Sequence, residues 1–134
     1  MRASPEAVPN WSLTTVHSLW RSARPFGNEY WIRPQEAFNL LPGPEGERFA
    51  RVLQYPGLEV EIYAPRGIDP QTPHARDEIY VVISGSGIFR NGERSHSFGP
   101  GDLMFVPAGV EHRFESFSND LALWVVFVGD VGAA

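Results

Sequence analysis

Two stretches of this chain carry the strongest indication of its fold: they read GIDPQTPHARDEIYVVISG over residues 67–85 and GDLMFVPAGVEH over residues 101–112. The first stretch places His74 four residues before Glu78 and ends an apolar run at a glycine. The second places His112 just beyond a Pro-Ala-Gly sequence that is typical of a tight turn. Two histidines and one glutamate thus lie near turn residues in two separate stretches of the chain.

The composition limits the class of protein. The chain has 134 residues, a formal net charge of −5 and no cysteine. Its length indicates one domain, and its acidic balance excludes the electrostatic footprint of nucleic-acid or anionic-membrane binding. Without cysteine it forms neither disulfides nor thiolate metal sites. Residues 1–12 lack the apolar segment of a secretory signal, and no apolar run is long enough to cross a membrane, so we expect a cytoplasmic protein.

Short strands joined by turns explain the hydrophobic pattern best. Thirteen glycines and twelve prolines separate segments that are β-branched or alternate between apolar and polar residues. Asn91-Gly92 is a strong hairpin signal. The predicted strands are Arg48–Gln54, Leu58–Ala64, Glu78–Ile83, Gly87–Arg90, His96–Phe98, Leu103–Val106, His112–Phe117 and Leu121–Val128. This pattern predicts an all-β domain, either a sandwich or a closed barrel.

The two opening stretches resemble the signature motifs of the cupin superfamily. The first family motif is Gly, five residues, His-x-His, three or four residues, Glu, six residues and Gly. The second is Gly, five residues, Pro-x-Gly, two residues, His, three residues and Asn. The second motif is matched by Gly101, Pro107, Gly109 and His112, with Ser116 in place of the final Asn. The resemblance implies a cupin-type double-stranded β-helix, a jelly-roll barrel, over residues 35–129.

The first motif fits with one substituted ligand position. Glu78 is followed by six residues and then Gly85, which makes His74 the second histidine of His-x-His and puts Thr72 in the first position. The leading glycine is one residue closer than the family spacing. Aligning His74 with the first histidine would put Tyr80 in place of the glutamate, so we reject that alignment.

The resemblance implies that His74, Glu78 and His112 bind a divalent metal ion inside the barrel. Two imidazoles and one carboxylate leave positions open and suit Fe, Mn, Ni or Zn, and open positions are typical of a catalytic metal. A buried Glu78 needs a cationic partner in any case, because otherwise its pKa rises. We expect the Thr72 hydroxyl to orient water or substrate. For Arg76 two interpretations stay open: an ordinary surface arginine, and a contact with an anionic substrate at the barrel mouth.

Side chains on the same strand faces as the ligands are predicted to line the pocket. They are Tyr80 and Val82 on the first ligand strand and Phe114 on the second, where Ser116 is predicted to share the face of His112 and Phe117 the opposite face.

Other polar residues are expected to lie outside the site. Glu59 and Glu61 share a strand face that we expect to be solvated, with a general acid–base pair as the alternative. We expect His96 to be exposed and His17 to be structural.

An aromatic-rich arm is predicted to precede the barrel. Residues 1–34 contain five large aromatic side chains that are unlikely to stay in water: Trp11, Trp20, Phe26, Tyr30 and Trp31. We expect this arm to pack on the barrel or on a dimer partner, with a helical turn near Thr14 to Ser22, and residues 130–134 to form a C-terminal tail. A homodimer is also what the resemblance implies.

The resemblance implies several possible functions, because one fold hosts many reactions. We expect a small metal-dependent enzyme acting on a small organic molecule, with dioxygenase or related carbon–oxygen chemistry as the leading subclass. The alternative is a non-catalytic module that binds a small ligand with weak or no metal, which the missing first-motif histidine favours. A third interpretation is metal-free acid–base catalysis by His74 or His112.

Overall fold

Eight strands and one short helix make up residues 31–129, the part of the chain that the computed structural model describes. In chain order they are α1 (Pro34–Phe38), β1 (Phe49–Tyr55), β2 (Leu58–Tyr63), β3 (Asp77–Ser84), β4 (Gly87–Asn91), β5 (Arg94–Phe98), β6 (Leu103–Val106), β7 (His112–Phe117) and β8 (Ala122–Val128). Every predicted strand is present, with each end within two residues of its predicted position. The all-β prediction is confirmed.

The strands form two antiparallel sheets. One has five strands in the order β1-β2-β8-β3-β6, and the other has three in the order β5-β4-β7. Neighbours that are distant in sequence, such as β2 with β8 and β4 with β7, are the crossovers of a jelly roll. The predicted double-stranded β-helix is therefore confirmed. In residues 31–129 no helix has the length and apolar character needed to cross a bilayer.

The main core lies between the two sheets. Alternate residues of β3 are buried, including Tyr80 and Val82, and they pack in one cluster with Phe89 of β4 and Phe114 of β7. The rings of Phe89 and Phe114 are 4.6 Å apart between centroids, which is within the range of favourable aromatic pairs. The alternation predicted from sequence thus directs the even-numbered side chains of β3 into the core.

A β-bulge in β7 corrects one prediction. Phe89 pairs with Phe114 while Ile88 pairs with Ser116, so Glu115 is an extra residue in β7. The bulge interrupts the alternation of faces. Ser116 is consequently exposed, and Phe117 packs against the core, which is the reverse of the predicted arrangement.

The helix α1 has no counterpart among the predicted elements. Pro34 occupies its first turn, and the Glu36 carboxylate accepts a hydrogen bond from the backbone N–H of Arg33, which together favour a helix start. Its buried Ala37 joins a second apolar cluster with Val52 and Ile62. The helix crosses the predicted boundary between the arm, residues 1–34, and the barrel, residues 35–129.

Most of the predicted arm lies outside the described residues. This applies to Trp11, Trp20, Phe26, Tyr30 and His17, to the helical turn near Thr14 to Ser22, and to residues 130–134. Trp31 is described, and 61% of its surface is exposed. The packing of the arm and the homodimer both stay predictions.

The hairpin signal at Asn91-Gly92 is shifted by one residue. Asn91 pairs with Arg94, so the two-residue loop is Gly92-Glu93, and Gly92 takes the left-handed φ of 65° that such a loop needs.

Replacing Gly85 by alanine tests why the first motif ends in glycine. Gly85 has a φ of 92°, and a Cβ there would lie 2.6 Å from the Cα of Leu121. We expect Gly85→Ala to lower the free energy of unfolding by about 2 kcal/mol or more, because strain and overlap add. Gly99→Ala is the control, since a Cβ there meets nothing within 4 Å. Equal stability of the two variants in urea denaturation would contradict this.

Candidate metal centre

Three side chains that were predicted to bind metal converge, although they are distant in sequence. His74 precedes β3, Glu78 lies on β3, and His112 begins β7. Their potential ligand atoms all lie within 4.8 Å of one another. Glu78 Oε2 is 3.4 Å from His74 Nε2 and 3.5 Å from His112 Nε2. The fold therefore brings the two imidazoles and the carboxylate to one place.

Backbone hydrogen bonds connect the two motif segments. The N–H of Gly109 donates to the carbonyl of His74 at 2.8 Å, and the N–H of Ala108 donates to the Asp77 carboxylate at 2.8 Å. Gly109 has a φ of 81°, which favours glycine. The Pro-x-Gly turn thus holds the segment that carries the first two candidate ligands against the start of β7.

The hydrogen bonds of His112 fix which ring nitrogen faces Glu78. Nδ1 lies 2.9 Å from the carbonyl oxygen of Val110, which only accepts, so Nδ1 carries the proton. In the neutral ring Nε2 is then an acceptor, and it faces the carboxylate of Glu78. Among the described residues, His112 Nε2 and both Glu78 oxygens are buried without a hydrogen-bond partner. Buried acceptors that face each other need a proton or a cation between them.

Burial shifts the pKa values of two candidate ligands toward their neutral forms. Burial raises the pKa of Glu78 to about 7. Burial, followed by the neighbouring His112 and Arg76, lowers the pKa of His74. A divalent cation would reverse the rise for Glu78, because it favours the deprotonated carboxylate, and it would reinforce the fall for His74, because it binds neutral imidazole. The donor set of two nitrogens and one carboxylate fits a divalent transition metal.

A cavity of about 510 Å³ opens beside the candidate ligands. Its walls combine apolar and polar side chains: Phe49, Glu61, Tyr63, Pro70, Gln71, Thr72, His74, Ala75, Arg76, Val125 and Phe127. The volume is in the range of small-molecule sites. His74 is the candidate ligand that lines it, while Glu78 and His112 are almost fully buried behind.

The predicted pocket residues lie deeper than the cavity wall. Tyr80, Val82 and Phe114 are buried in the core, and none of them lines the cavity. The Tyr80 ring lies 6.0 Å from the ring of His112 between centroids, so it packs behind the ligands.

Thr72 and Arg76 both border the cavity but differ in their contacts. Thr72 is exposed. The Arg76 side chain is 18% exposed, lies 3.1 Å from Glu59 Oε1, and has its guanidinium carbon 4.6 Å from the ring centroid of Phe127. The guanidinium is therefore held in place by an ion pair and a cation–π contact.

The face of β2 that carries Glu59 and Glu61 is not solvated, contrary to the prediction. The Glu59 side chain is only 13% exposed and pairs with Arg76, and Glu61 lines the cavity. Burial, and next the charge of Glu59, raise the pKa of Glu61 to about 7. The prediction was wrong because the segment from Pro70 to Arg76 lies opposite this face. Arg76 pairs with Glu59, and the same segment borders the cavity that Glu61 lines.

Sequence reasoning missed Asp69 and Gln71. Asp69 is 1% exposed, and the amide of Gln71 contacts both Asp69 and His74. The one sequence signal for Gln71 was its place directly before Thr72, where the first motif has a histidine. The remaining described histidine, His96, is exposed as predicted.

Stability without metal should depend on pH through Glu61. Its pKa is near 7 in the folded protein and near 4.5 as an ordinary carboxyl, so the folded state holds its proton more tightly. The stability that this tighter proton binding contributes is fully present below the pKa of Glu61 in the unfolded chain. It is lost as the pH rises through the pKa of Glu61 in the folded protein. We expect Glu61→Gln to recover on the order of 2 kcal/mol at about pH 8 relative to about pH 5 in urea denaturation with a chelator. Exposed Glu115→Gln is the control, and identical pH profiles for both variants would contradict the assignment.

Known proteins resemble this chain in sequence and in fold. The family model described as a cupin domain matches residues 59–128. An uncharacterized protein of Streptomyces coelicolor is 37% identical over 81 residues, which cover 59% of this chain and 77% of that protein. An acireductone dioxygenase of Rhodopseudomonas palustris is 49% identical over 45 residues, 31% of this chain and 27% of that enzyme.

A solved structure agrees in fold. The cupin-2 domain containing protein of Shewanella frigidimarina superposes with a TM-score of 0.55 at 16% identity, covering 71% of this chain and 91% of that one. At this identity the likeness concerns the fold alone. Together with the family model and the Streptomyces relative, it shows that this chain belongs to the cupin family.

Proposed function

We propose that this protein is a metal-dependent cupin enzyme that acts on a small organic molecule bound in the cavity beside His74. The observation that carries the proposal is the pair of buried, unpartnered acceptors, His112 Nε2 and the Glu78 carboxylate, which face each other at 3.5 Å. A divalent metal bound by His74, Glu78 and His112 satisfies them. When bound, the metal supplies a Lewis acid that polarises a ligand oxygen.

The chain's own residues support binding and proton transfer at this place. Apolar side chains, Val125 and Phe127 among them, form part of the wall, which suits the apolar part of a small molecule. Arg76 presents a fixed positive charge, which suits a substrate with an anionic or polar oxygen. Glu61 faces the same cavity with a pKa near 7, so it is suited to accept or return a proton near neutral pH.

Dioxygenase-like chemistry is the subclass we favour. The local similarity to an acireductone dioxygenase supports it, although it spans about a quarter of that enzyme. Thr72, exposed at the cavity wall, is proposed to orient water or substrate with its hydroxyl.

A non-catalytic binding module is the second candidate. The observation that favours it is Thr72, which stands where the first motif has a histidine, so the donor set is one imidazole short. In that case the cavity binds a small ligand, and metal binding is weak or is not needed.

Metal titration tests the shared basis of these proposals. We expect the chelator-treated protein to bind Mn(II) or Zn(II) in calorimetry, and His112→Ala to weaken binding by about 100-fold or more because it removes one donor and leaves Glu78 unbalanced. His96→Ala is the matched control, since His96 is exposed and outside the site. Equal affinities of the two variants would contradict the metal centre.

Oxygen consumption separates the enzyme from the binding module. We expect the Fe(II)-loaded or Ni(II)-loaded protein to consume oxygen with acireductone or a related small oxygen-rich substrate, and Glu78→Gln to abolish this, since a neutral amide is a weaker ligand. Saturable binding of such molecules to the metal-loaded protein, with no turnover of any of them, would favour the module instead.

A further inference from the structure

The first motif lacks one histidine, and Gln71, which the family spacing does not mark, lies beside His74. We propose that Gln71 supplies a fourth protein ligand to the metal through its amide oxygen Oε1, in place of the missing histidine. This inference rests on the metal binding of the proposed function. Its basis is position: Gln71 Oε1 lies 3.2 Å from His74 Nε2, whereas Thr72 is exposed.

The hydrogen bonds of Gln71 determine which end of its amide faces the site. Nε2 donates to the Asp69 carboxylate at 3.1 Å, and an ionised carboxylate only accepts. The Tyr80 hydroxyl donates to Oε1 at 3.0 Å. Turning the amide over would place Oε1 against the Asp69 carboxylate, so the carbonyl oxygen is directed toward His74.

Asp69 is itself fixed to the strand that carries His112. Its buried carboxylate accepts a hydrogen bond from the N–H of Phe114 at 2.8 Å and another from the Tyr63 hydroxyl. Its backbone carbonyl accepts from Arg113 at 2.6 Å. These contacts join the Gln71 loop to β7, so the amide is already oriented before any ion binds, and little side-chain entropy remains to be lost.

Metal binding gives Gln71 Oε1 a new partner in place of an old one. His74 Nε2 lies 3.2 Å from Gln71 Oε1, which only accepts, so without metal Nε2 carries the proton of that hydrogen bond. A His74 ring that held a metal through Nε2 would carry its proton on Nδ1 instead, because imidazole binds metals through a free lone pair. The lone pair of His74 Nε2, Gln71 Oε1 and the Glu78 carboxylate would then all be available to one ion.

The resulting donors are two imidazole nitrogens, one carboxylate oxygen and one amide oxygen. Amide and carboxylate oxygens suit harder cations such as Mn(II) and Fe(II). We therefore expect Gln71 to contribute to Mn(II) affinity through its oxygen, independently of any substrate.

Calorimetric titration with Mn(II) alone tests this on the full chain. We expect Gln71→Ala to bind Mn(II) about tenfold or more weakly than the unchanged protein, and Thr72→Ala to stay within about twofold of it. Equal affinities of Gln71→Ala and the unchanged protein, or a loss confined to Thr72→Ala, would overturn the assignment. If the unchanged protein binds no metal, the proposed function fails rather than this inference alone.

Gln71→Glu distinguishes a ligand from a purely structural residue. This variant keeps an oxygen at the same distance along the side chain but loses the N–H that donates to Asp69. If Gln71 is a ligand, Gln71→Glu binds Mn(II) at least as tightly as the unchanged protein and shows a larger metal-induced rise in Tm, despite lower stability without metal. If Gln71 acts only by supporting Asp69, this variant loses affinity as Gln71→Ala does. The comparison decides the matter even where Gln71→Ala fails to fold.

Discussion

The site depends on two buried acceptors, His112 Nε2 and the Glu78 carboxylate, which face each other with no hydrogen-bond donor between them. The proton on Nδ1 of His112, held by the Val110 carbonyl, turns the Nε2 lone pair toward the Glu78 carboxylate. Both groups are almost fully buried, so water cannot relieve the mismatch without entering the core. A protonated Glu78 relieves it partly, in line with its raised pKa, and a divalent cation relieves it fully.

Hydrogen bonds between distant parts of the chain hold the candidate ligands close together. The Pro-x-Gly turn donates two backbone N–H groups to the segment that carries the candidate ligands, and buried Asp69 joins the preceding loop to β7. Each connection links parts of the chain about thirty or more residues apart along the sequence. The site is therefore part of the framework of the barrel, and the cavity with Arg76 and Glu61 is the part that faces a ligand.

Sequence predicted the elements whose signals are local or fixed by the motifs. The eight strands, the jelly roll and the convergence of His74, Glu78 and His112 follow from alternation, turn residues and family spacing. Sequence reasoning failed where packing decides. The bulge at Glu115 exchanged the faces of the residues after it. The segment that carries Arg76 pairs with Glu59 and leaves Glu61 at the wall of a cavity rather than in open solvent. Gln71 was missed because its role depends on an amide orientation set by Asp69, which no spacing records.

One cation is proposed to bind to His74 and Glu78 of the first motif and to His112 of the second. Anomalous diffraction from crystals of the protein grown with Mn(II) tests it most directly. We expect an anomalous peak bordered by His74 Nε2, His112 Nε2, a Glu78 oxygen and Gln71 Oε1. Crystals grown at saturating Mn(II) with no peak between the two imidazoles, and with Glu78 paired to a protein donor instead, would contradict it.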